Sequence, residues 1–250
     1  MSLEGKSVIV TGGSSGIGAA SAKVIASRGG KVMVADVDQE MGEAVVSEIV
    51  AAGGVARFQK TDVTSREQVR ALAQRTQEAY GGIDAVAHVA AIALHKPFIE
   101  LDDELWRRTI DVCLTGTFYL NQEVAKVMIE QGHGRIINFA STVAATGGEL
   151  LAAYSAAKAG VVALSKSIQK ELARHNIVVI VVAPGATDTP LWRLGRTEEQ
   201  LERRRRSQRF GRVATAEEVG SVVAFLAGDE SGATLAGQTI HTNGGQFMGF

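Results

Sequence analysis

A tyrosine and a lysine four residues apart, Tyr154 and Lys158, are the residues of this sequence best suited to acid–base chemistry. Side chains at this spacing lie one turn apart on the same face of a helix. A neighbouring ammonium favours the phenolate, so it lowers the pKa of a phenol from about 10 toward neutrality. Such a phenol can donate and accept a proton during a reaction. The pair alone is weak evidence, because any amphipathic helix can carry it.

A glycine-rich segment near the N-terminus predicts a phosphate-binding loop. The apolar run 7–10 is typical of a buried strand, and residues 11–18, TGGSSGIG, precede an alanine-rich helical segment that extends to Arg28. Residues 31–35 predict a second strand that ends at Asp36. Glycines let a backbone approach a pyrophosphate, whose negative charge faces the N-terminus of the following helix. This order of elements indicates a dinucleotide site.

Asp36 gives this site a predicted cofactor preference. It lies 18 residues beyond Gly18, where a carboxylate can accept hydrogen bonds from the two hydroxyls of an adenine ribose. A carboxylate there would repel a 2′-phosphate, and Val37 supplies no cation to offset the repulsion. The sequence therefore favours NAD over NADP, with Lys31 and Arg57 as the basic residues that could approach and weaken the preference.

Strands and helices alternate along the rest of the chain. Further strands are predicted at 55–58, 84–89, 135–139, 177–182 and 238–241. Helices are predicted at 39–52, from a capping box at 64–67 to 80, at 103–130, from 154 to about 174, and from a capping box at 215–218 to about 227. This alternation predicts an α/β fold, a single doubly wound parallel sheet flanked by helices on both faces.

The domain organisation follows from the same alternation and from composition. The 250 residues include only three prolines and no low-complexity tract, so one domain over 1–250 is expected. Its cofactor half covers roughly 1–140, its catalytic and substrate half roughly 141–250, and a polar, arginine-rich helical flap about 190–212.

Charge and composition exclude several classes of protein. The formal net charge is −1, which gives no overall field toward nucleic acid or a membrane. No apolar run reaches the roughly 20 residues that span a bilayer, and no secretory leader is expected, so a cytoplasmic protein is predicted. The single cysteine, Cys113, excludes an intrachain disulfide and a cysteine-rich zinc site, and no metal site is expected.

Three sets of residues occur in a fixed order along this chain. They are Thr11, Gly12, Gly16 and Gly18 as TGxxxGxG, then Ser141 followed 13 residues later by Tyr154 and Lys158, then Pro184, Gly185 and Thr189 after the sixth strand. In this combination the chain resembles the short-chain dehydrogenase/reductase family, and the resemblance covers essentially all 250 residues.

The resemblance implies a Rossmann fold, an NAD cofactor and hydride transfer between a secondary alcohol and a ketone. Tyr154 would exchange the proton, Ser141 would hydrogen-bond the reacting oxygen, and Lys158 would lower the tyrosine pKa and bind the nicotinamide ribose. Cofactor contacts are expected from Gly12, Ser14, Ser15, Gly16, Ile17, Gly18, Asp36, Val37, Asp62, Val63, Ala90, Ala91, Tyr154, Lys158, Pro184, Gly185, Thr187 and Thr189.

Two departures from the family pattern bear on activity. Relatives usually carry Asn-Asn-Ala-Gly after the fourth strand, where this chain has residues 88–91, His-Val-Ala-Ala. His88 is interpreted as a packed structural residue that replaces one of the lost hydrogen bonds. Cys113 stands where relatives have an asparagine that supports a proton relay, and cysteine is a poor hydrogen-bonding group. Two interpretations stay open, an active enzyme with a modified relay or a weakened, repurposed protein.

The substrate pocket is expected near the loop 147–150, the region of His95 and the start of the flap. Its predicted residues are Val143, Glu149, Leu150 and Trp192, with Leu191 beside them. The arginine run 203–206 is open to two interpretations, a solvated helix face or a surface that recognises an anionic carrier. A homotetramer is implied by the resemblance, and the apolar C-terminal segment 243–250 is consistent with burial against another subunit.

The predicted function is an NAD-dependent oxidoreductase that interconverts a small-molecule secondary alcohol and a ketone. A 3-oxoacyl-thioester reductase, acting on an acyl-carrier-protein or coenzyme A substrate, is the alternative among enzymes, although such reductases often use NADPH and Asp36 disfavours that cofactor. The alternative from another class is a dinucleotide-binding regulatory or scaffold protein with weak catalysis. Neither nucleic acid nor a membrane is expected as a partner.

Overall fold

Seven parallel strands form one sheet in the part of the chain that the computed structural model describes, residues 2–229 and 232–249. The strands are β1 (Ser7–Thr11), β2 (Lys31–Asp36), β3 (Val55–Lys60), β4 (Ala85–His88), β5 (Gly134–Phe139), β6 (Ile177–Pro184) and β7 (Thr239–Thr242). Their order across the sheet is β3-β2-β1-β4-β5-β6-β7, and each neighbouring pair is parallel. The predicted doubly wound sheet is confirmed.

Helices connect the strands and cover both faces of the sheet. They are α1 (Gly16–Ser27), α2 (Gln39–Ala51), α3 (Arg66–Tyr80), α4 (Asp103–Ile110), α5 (Gly116–Gln131), α6 (Val143–Thr146), α7 (Ala152–Leu172), α8 (Pro190–Arg193), α9 (Glu198–Arg206) and α10 (Ala216–Ala227). Short 3-10 turns occur at Phe98–Glu100, Ala173–His175 and Ala233–Leu235. No helix in the described ranges is long and apolar enough to cross a membrane.

The strand side chains alternate between two apolar layers, as a parallel sheet covered on both faces requires. Val8 and Val10 of β1 pack in a layer with α1, α2 and α10. Ile9, between them, belongs to the opposite layer with α3, α5 and α7. All three valine and isoleucine side chains are fully buried, and each such burial contributes about 1.5–3 kcal/mol. The two layers fix the sheet as the rigid platform on which the loops are held.

Strands β1 and β4 lie side by side at the centre of the sheet. From β1 the chain adds β2 and β3 toward one edge, and from β4 it adds β5, β6 and β7 toward the other. Connections leave these two strands toward opposite faces, so a crevice opens beyond their carboxyl ends. The glycine loop follows β1, and Ala90 and Ala91 follow β4. Ser141 follows β5, the next strand, at the same edge. Topology therefore gathers the predicted site residues at one edge of the sheet.

The prediction of a single α-helix over 103–130 is wrong for the middle of that range. A π-helical turn at Asp111–Thr115 separates α4 from α5, and the backbone N–H of Gly116 donates to the Asp111 carbonyl five residues earlier. Gly116 packs so closely on Val63 that an added Cβ would lie 3.0 Å from the Val63 Cγ2 atom. The wider turn accompanies this close approach and contains Cys113. Such turns occur often at functional sites.

The two predicted capping boxes differ in outcome. The box at Thr215 is confirmed, because Thr215 and Glu218 exchange side-chain to backbone hydrogen bonds. At the start of α3 the cap is Ser65, not the predicted Thr64. Thr64 donates instead to Asp62 Oδ1, from its N–H at 2.9 Å and its hydroxyl at 2.7 Å. That local turn uses the Thr64 hydroxyl and moves the cap by one residue.

The C-terminal segment folds back onto the sheet. The Phe247 ring lies 4.9 Å from the His241 ring of β7, and the Asn243 side chain donates to the Phe247 carbonyl. Met248 is exposed. Phe250, which the sequence assigns to the same apolar end, lies outside the described residues. Burial of this segment against another subunit stays a prediction.

Candidate active site

The glycine loop presents bare backbone to the crevice. A Cβ on Gly18 would lie 1.9 Å from the Gly12 carbonyl oxygen, and one on Gly12 would lie 2.7 Å from the Ala90 nitrogen. Gly12 also has a φ of +65°, in the left-handed region that favours glycine. No side chain fits at either position without movement of the backbone. The loop and the N-terminus of α1 therefore form a cradle that suits a pyrophosphate.

Asp36 is anchored to this loop. Its Oδ2 atom accepts hydrogen bonds from the Ser14 N–H at 3.1 Å and the Ser14 hydroxyl at 2.6 Å. Val37 beside it is exposed. Arg57, which could have offset the carboxylate, instead lies over the Tyr80 ring, 6.0 Å from its centroid. Arg57 therefore does not pair with the Asp36 carboxylate, which can accept hydrogen bonds from ribose hydroxyls.

Ser141, Tyr154 and Lys158 meet in one cavity. Ser141 follows β5, and the other two lie one turn apart on α7. Ser141 lies beside Tyr154, close enough for its side chain to lower the pKa of the phenol. The Lys158 ammonium donates to the Phe139 carbonyl at 2.6 Å and lies 5.7 Å from the centroid of the Tyr154 ring. Lys158 is only 2% exposed, so the sheet edge holds its charge beside the phenol.

Burial, and not the charge of Lys158, has the largest effect on the pKa of Tyr154. Burial raises the pKa of Tyr154 well above its usual value, interaction with Cys113 raises it further, and the neighbouring Ser141 side chain lowers it. Burial also lowers the pKa of Lys158. The prediction of a phenol tuned toward neutrality is therefore wrong for the protein alone, because desolvation disfavours the phenolate more strongly than its neighbours favour it. Tyr154 is protonated at neutral pH.

Cys113 is fully buried inside the π-helical turn, near Tyr154 and Lys158. Its thiol donates weakly to the Ile92 carbonyl at 3.4 Å. Its own carbonyl accepts a hydrogen bond from the Thr117 hydroxyl at 2.8 Å. The cysteine therefore ties the turn to the segment after β4, and it supplies no strong hydrogen-bonding group to the cavity.

His88 joins two central strands. Its Nδ1 atom lies 2.7 Å from the Thr11 hydroxyl on β1, and that hydroxyl also accepts from the Ala90 N–H at 3.3 Å. The ring is buried and does not line the cavity. Burial, with a smaller effect from the Lys158 charge, lowers the pKa of His88 to about 3. The geometry matches the structural role that the sequence predicts for this residue.

We expect His88 to make the protein sensitive to mild acid. Its pKa of about 3 lies below the ordinary 6.5 of an unfolded chain, so the unfolded state binds the extra proton as pH falls. The free energy of unfolding should thus drop by about 2 kcal/mol between pH 6.5 and about 4.5 through this group. In His88→Asn this decline should be largely absent, as measured by urea unfolding at each pH.

His175→Asn is the matched control for this measurement, because His175 lies in a 3-10 turn far along the chain from the central strands. It should retain the acid sensitivity of the wild type. A decline of the same size in His88→Asn would contradict a buried neutral imidazole at this position.

The cavity at the sheet edge has a volume of about 850 Å³ and contains almost every predicted site residue. All the predicted catalytic and cofactor residues line it, as do Val143, Leu191, Trp192 and His95. Glu149 and Leu150 do not, and both are exposed. Leu150 has a φ of 63°, and its carbonyl accepts from the Lys96 N–H at 2.9 Å. Leu150 therefore lies outside the cavity lining, and Leu151 lines the cavity in its place.

Other cavity residues were not identified from the sequence. Among them are Arg108, Val112, Thr146, Leu151, Arg196 and Gln246. Gln246 comes from the segment after β7, where its side-chain oxygen accepts from the Ala186 N–H at 3.3 Å. No local pattern marks these residues, because they reach the cavity from separate elements. Only the arginine-rich composition of the flap pointed toward Arg196.

The fold and the site together define the class of this protein. A bare-backbone loop after β1, a carboxylate after β2 and a serine, tyrosine and lysine in the same cavity are the parts of an α/β oxidoreductase that binds a nicotinamide dinucleotide.

Comparisons with known proteins give the family. The family model described as short chain dehydrogenase matches residues 6–200. The 3-oxoacyl-[acyl-carrier-protein] reductase FabG of Escherichia coli (strain K12) is 35% identical over 248 residues, 99% of this chain and 100% of that protein. An uncharacterized oxidoreductase of Thermotoga maritima is 36% identical over 246 residues, 97% of this chain and 96% of that one. The crystal structure of gox2181 has a TM-score of 0.93 at 31% identity, over 98% of this chain and 96% of that one. The chain belongs to the short-chain dehydrogenase family.

Proposed function

We propose that the protein is an NAD-dependent oxidoreductase that interconverts a secondary alcohol and a ketone. The observation that carries this proposal is the meeting of Ser141, Tyr154 and Lys158 in a cavity that continues to the glycine loop and Asp36. One cavity thus offers a place for a dinucleotide and a place for a substrate oxygen.

Each of the three residues has a distinct task in this proposal. When bound, the nicotinamide supplies or accepts the hydride. Tyr154, which burial keeps protonated, donates its proton to the carbonyl oxygen in reduction and takes it back in oxidation. Ser141 donates a hydrogen bond to the same oxygen as negative charge develops there. Lys158, fixed by the Phe139 carbonyl, places a positive charge beside the tyrosine and can bind ribose hydroxyls.

The test is hydride transfer on a panel of secondary alcohols and ketones, with NAD(H) and NADP(H) in parallel, followed by the absorbance of the reduced nicotinamide. Turnover that prefers NAD(H) supports the proposal. Tight NADH binding without turnover on any member, in the wild type and in Cys113→Asn, would contradict it and favour a dinucleotide-binding regulatory or scaffold protein.

The preference for NAD should depend on the Asp36 charge. In Asp36→Asn, which keeps the shape and an oxygen for Ser14, the ratio of kcat/KM for NADH over NADPH should fall by about tenfold, because the repulsion of a 2′-phosphate is removed. Glu40→Gln is the control, since Glu40 lies in the first turn of α2, four residues after Asp36, but outside the cavity. An unchanged ratio in Asp36→Asn would contradict the assignment.

A 3-oxoacyl-thioester reductase is the second candidate. The observation in its favour is that relatives about one-third identical over nearly the whole chain, from Escherichia coli and Thermotoga maritima, are 3-oxoacyl-[acyl-carrier-protein] reductases. The chemistry at Tyr154 would be the same, and only the substrate would differ. Including 3-oxoacyl thioesters in the panel separates the two candidates.

We also propose that the subunits form a homotetramer through α4, α5 and α7. Trp106, Phe118 and Ile129 are exposed apolar side chains on the first two of these helices, and burial in a partner would remove them from water. Analytical ultracentrifugation tests the assembly. The cytoplasmic location stays a prediction.

A further inference from the structure

Basic side chains from four separate segments gather at the flap side of the cavity. Arg108 comes from α4, His95 from the segment after β4, Arg196 from the connection between α8 and α9, and Arg204 from α9. Arg108 and Arg204 are exposed, which places them where the cavity opens to solvent, and Arg196 is half-buried. Several cations that converge on one opening form a built surface, because folding brings them together from distant parts of the chain.

Two of these groups are in direct contact. The Arg196 Nη2 atom lies 2.9 Å from His95 Nε2, and its Nη1 atom donates to the Trp192 carbonyl. A guanidinium only donates, so His95 accepts through Nε2 and is neutral there. Burial first, then the charges of Arg196 and Arg204, lowers the pKa of His95. His95 therefore orients Arg196 and adds no second charge.

Neighbouring arginines of the flap are neutralised by carboxylates. Arg193 pairs with Asp188 at 2.6 Å, Arg205 with Glu198 at 2.6 Å, and Arg206 with Glu202 at 2.8 Å. The paired Arg205 and Arg206 match the solvated helix face that is one interpretation of the run 203–206.

By contrast, within residues 2–229 and 232–249, no carboxylate lies within ion-pair distance of Arg108, Arg196 or Arg204. The carboxylates that line the cavity, Asp36 and Asp62, are engaged by Ser14 and Thr64 at the cofactor side. Like charges are thus held together at the cavity opening without compensation.

We propose that the substrate of this site carries a negatively charged group, a carboxylate or a phosphate, which Arg196 and Arg204 bind at the cavity opening with Arg108 beside them. This inference rests on the proposed function and specifies its substrate class. Planar guanidinium groups bind carboxylate and phosphate oxygens through paired hydrogen bonds, which orients the anion as well as attracting it. Apolar side chains in the same cavity, Leu151, Leu191 and Trp192, suit the carbon skeleton between the anion and the carbonyl.

The anion has two possible sources, and matched substrate pairs distinguish them. The first pair is an oxo acid and its methyl ester, which differ only in the charge of the carboxyl group. The second pair is a 3-oxoacyl-4′-phosphopantetheine and the corresponding pantetheine thioester, which differ only in the phosphate. The wild type should show kcat/KM at least about tenfold higher for the charged member of one pair. Preference in the first pair assigns a free carboxylate, and preference in the second assigns the phosphate of a carrier.

Three variants locate the effect. Arg204→Gln and Arg196→Gln should each lower kcat/KM for the charged member at least about tenfold, mainly by raising KM. For the neutral member, kcat/KM should stay within about twofold of the wild-type value. Arg203→Gln is the matched control, because Arg203 precedes Arg204 on α9, is exposed and does not line the cavity. It should leave both members unchanged. Equal losses on charged and neutral members would overturn the proposal, because they would indicate a structural role for these arginines.

Equilibrium binding of the same pairs to the protein with NADH, measured by calorimetry, gives a readout that does not require turnover. Binding of a charged member that is tighter than its neutral partner and weakened in Arg204→Gln supports the proposal. Equal binding within both pairs overturns it. Turnover of neutral ketones with no preference for charge would leave the proposed oxidoreductase standing and remove only this inference.

Discussion

Tyr154→Phe is expected to lower kcat for ketone reduction by about 10³-fold, within the range that general acid catalysis contributes. The substitution removes one hydroxyl, the group beside Ser141 that supplies the proton. The ring and its packing stay, so the dissociation constant of NADH, measured by fluorescence, should change by less than about twofold. Steady-state rates with saturating NADH measure the loss directly.

Tyr119→Phe is the matched control for the loss of a phenol. Tyr119 lies on α5 with Arg66 over its ring at 4.2 Å, and it does not line the cavity. Its activity should equal that of the wild type. A Tyr154→Phe variant with more than about one-tenth of the wild-type rate would show that another group donates the proton.

Gly18→Ala should abolish most of the cofactor affinity. The new methyl group would lie 1.9 Å from the Gly12 carbonyl oxygen and 2.6 Å from the Gly12 carbonyl carbon, both of which are backbone atoms. The loop must therefore move, and overpacking of this kind costs about 1–3 kcal/mol or more. We expect the dissociation constant of NADH to rise by about 100-fold, measured by fluorescence titration.

Gly53→Ala separates this contact from the general cost of replacing a glycine. Gly53 has a φ of +84° but open space around its Cβ position, and it lies in the turn after α2. It should lower the thermal stability slightly and leave the NADH affinity unchanged. Wild-type affinity in Gly18→Ala would mean that the loop between β1 and α1 does not form the pyrophosphate cradle.

The fold could be predicted because the sequence alternates predicted strands and helices, and the residues at the ends of these elements support the same assignment. Apolar runs such as residues 177–182 indicate strands buried on both faces, and glycines such as Gly81 and Gly132, both with positive φ, end the helices. The π-helical turn was missed because a single extra residue leaves helical periodicity intact on either side of Cys113. The Ser65 cap was missed because Thr64 and Ser65 are equally good caps until Asp62 engages one of them.

The site was predictable where its residues are close in sequence or follow a strand. Tyr154 and Lys158 share a helix, and Asp36 ends a strand. The group of arginines at the cavity opening was not predictable, because its members come from distant segments. His95 and Arg196 are 101 residues apart, and only the folded chain puts their nitrogens in contact. The pKa direction at Tyr154 was also beyond the sequence, since it depends on how completely the cavity walls exclude water from the phenol.

The π-helical turn sets the rotational phase between the two helices that it joins. Each residue of an α-helix turns by about 100°, so in an unbroken helix Trp106 and Phe118, 12 residues apart, would face directions about 120° apart. A turn that absorbs one residue reduces this angle to about 20°, which aligns both rings with Ile129 along one side. The same turn keeps Cys113 buried near Tyr154. One inserted residue therefore links the geometry of the proposed subunit contact to that of the reaction site.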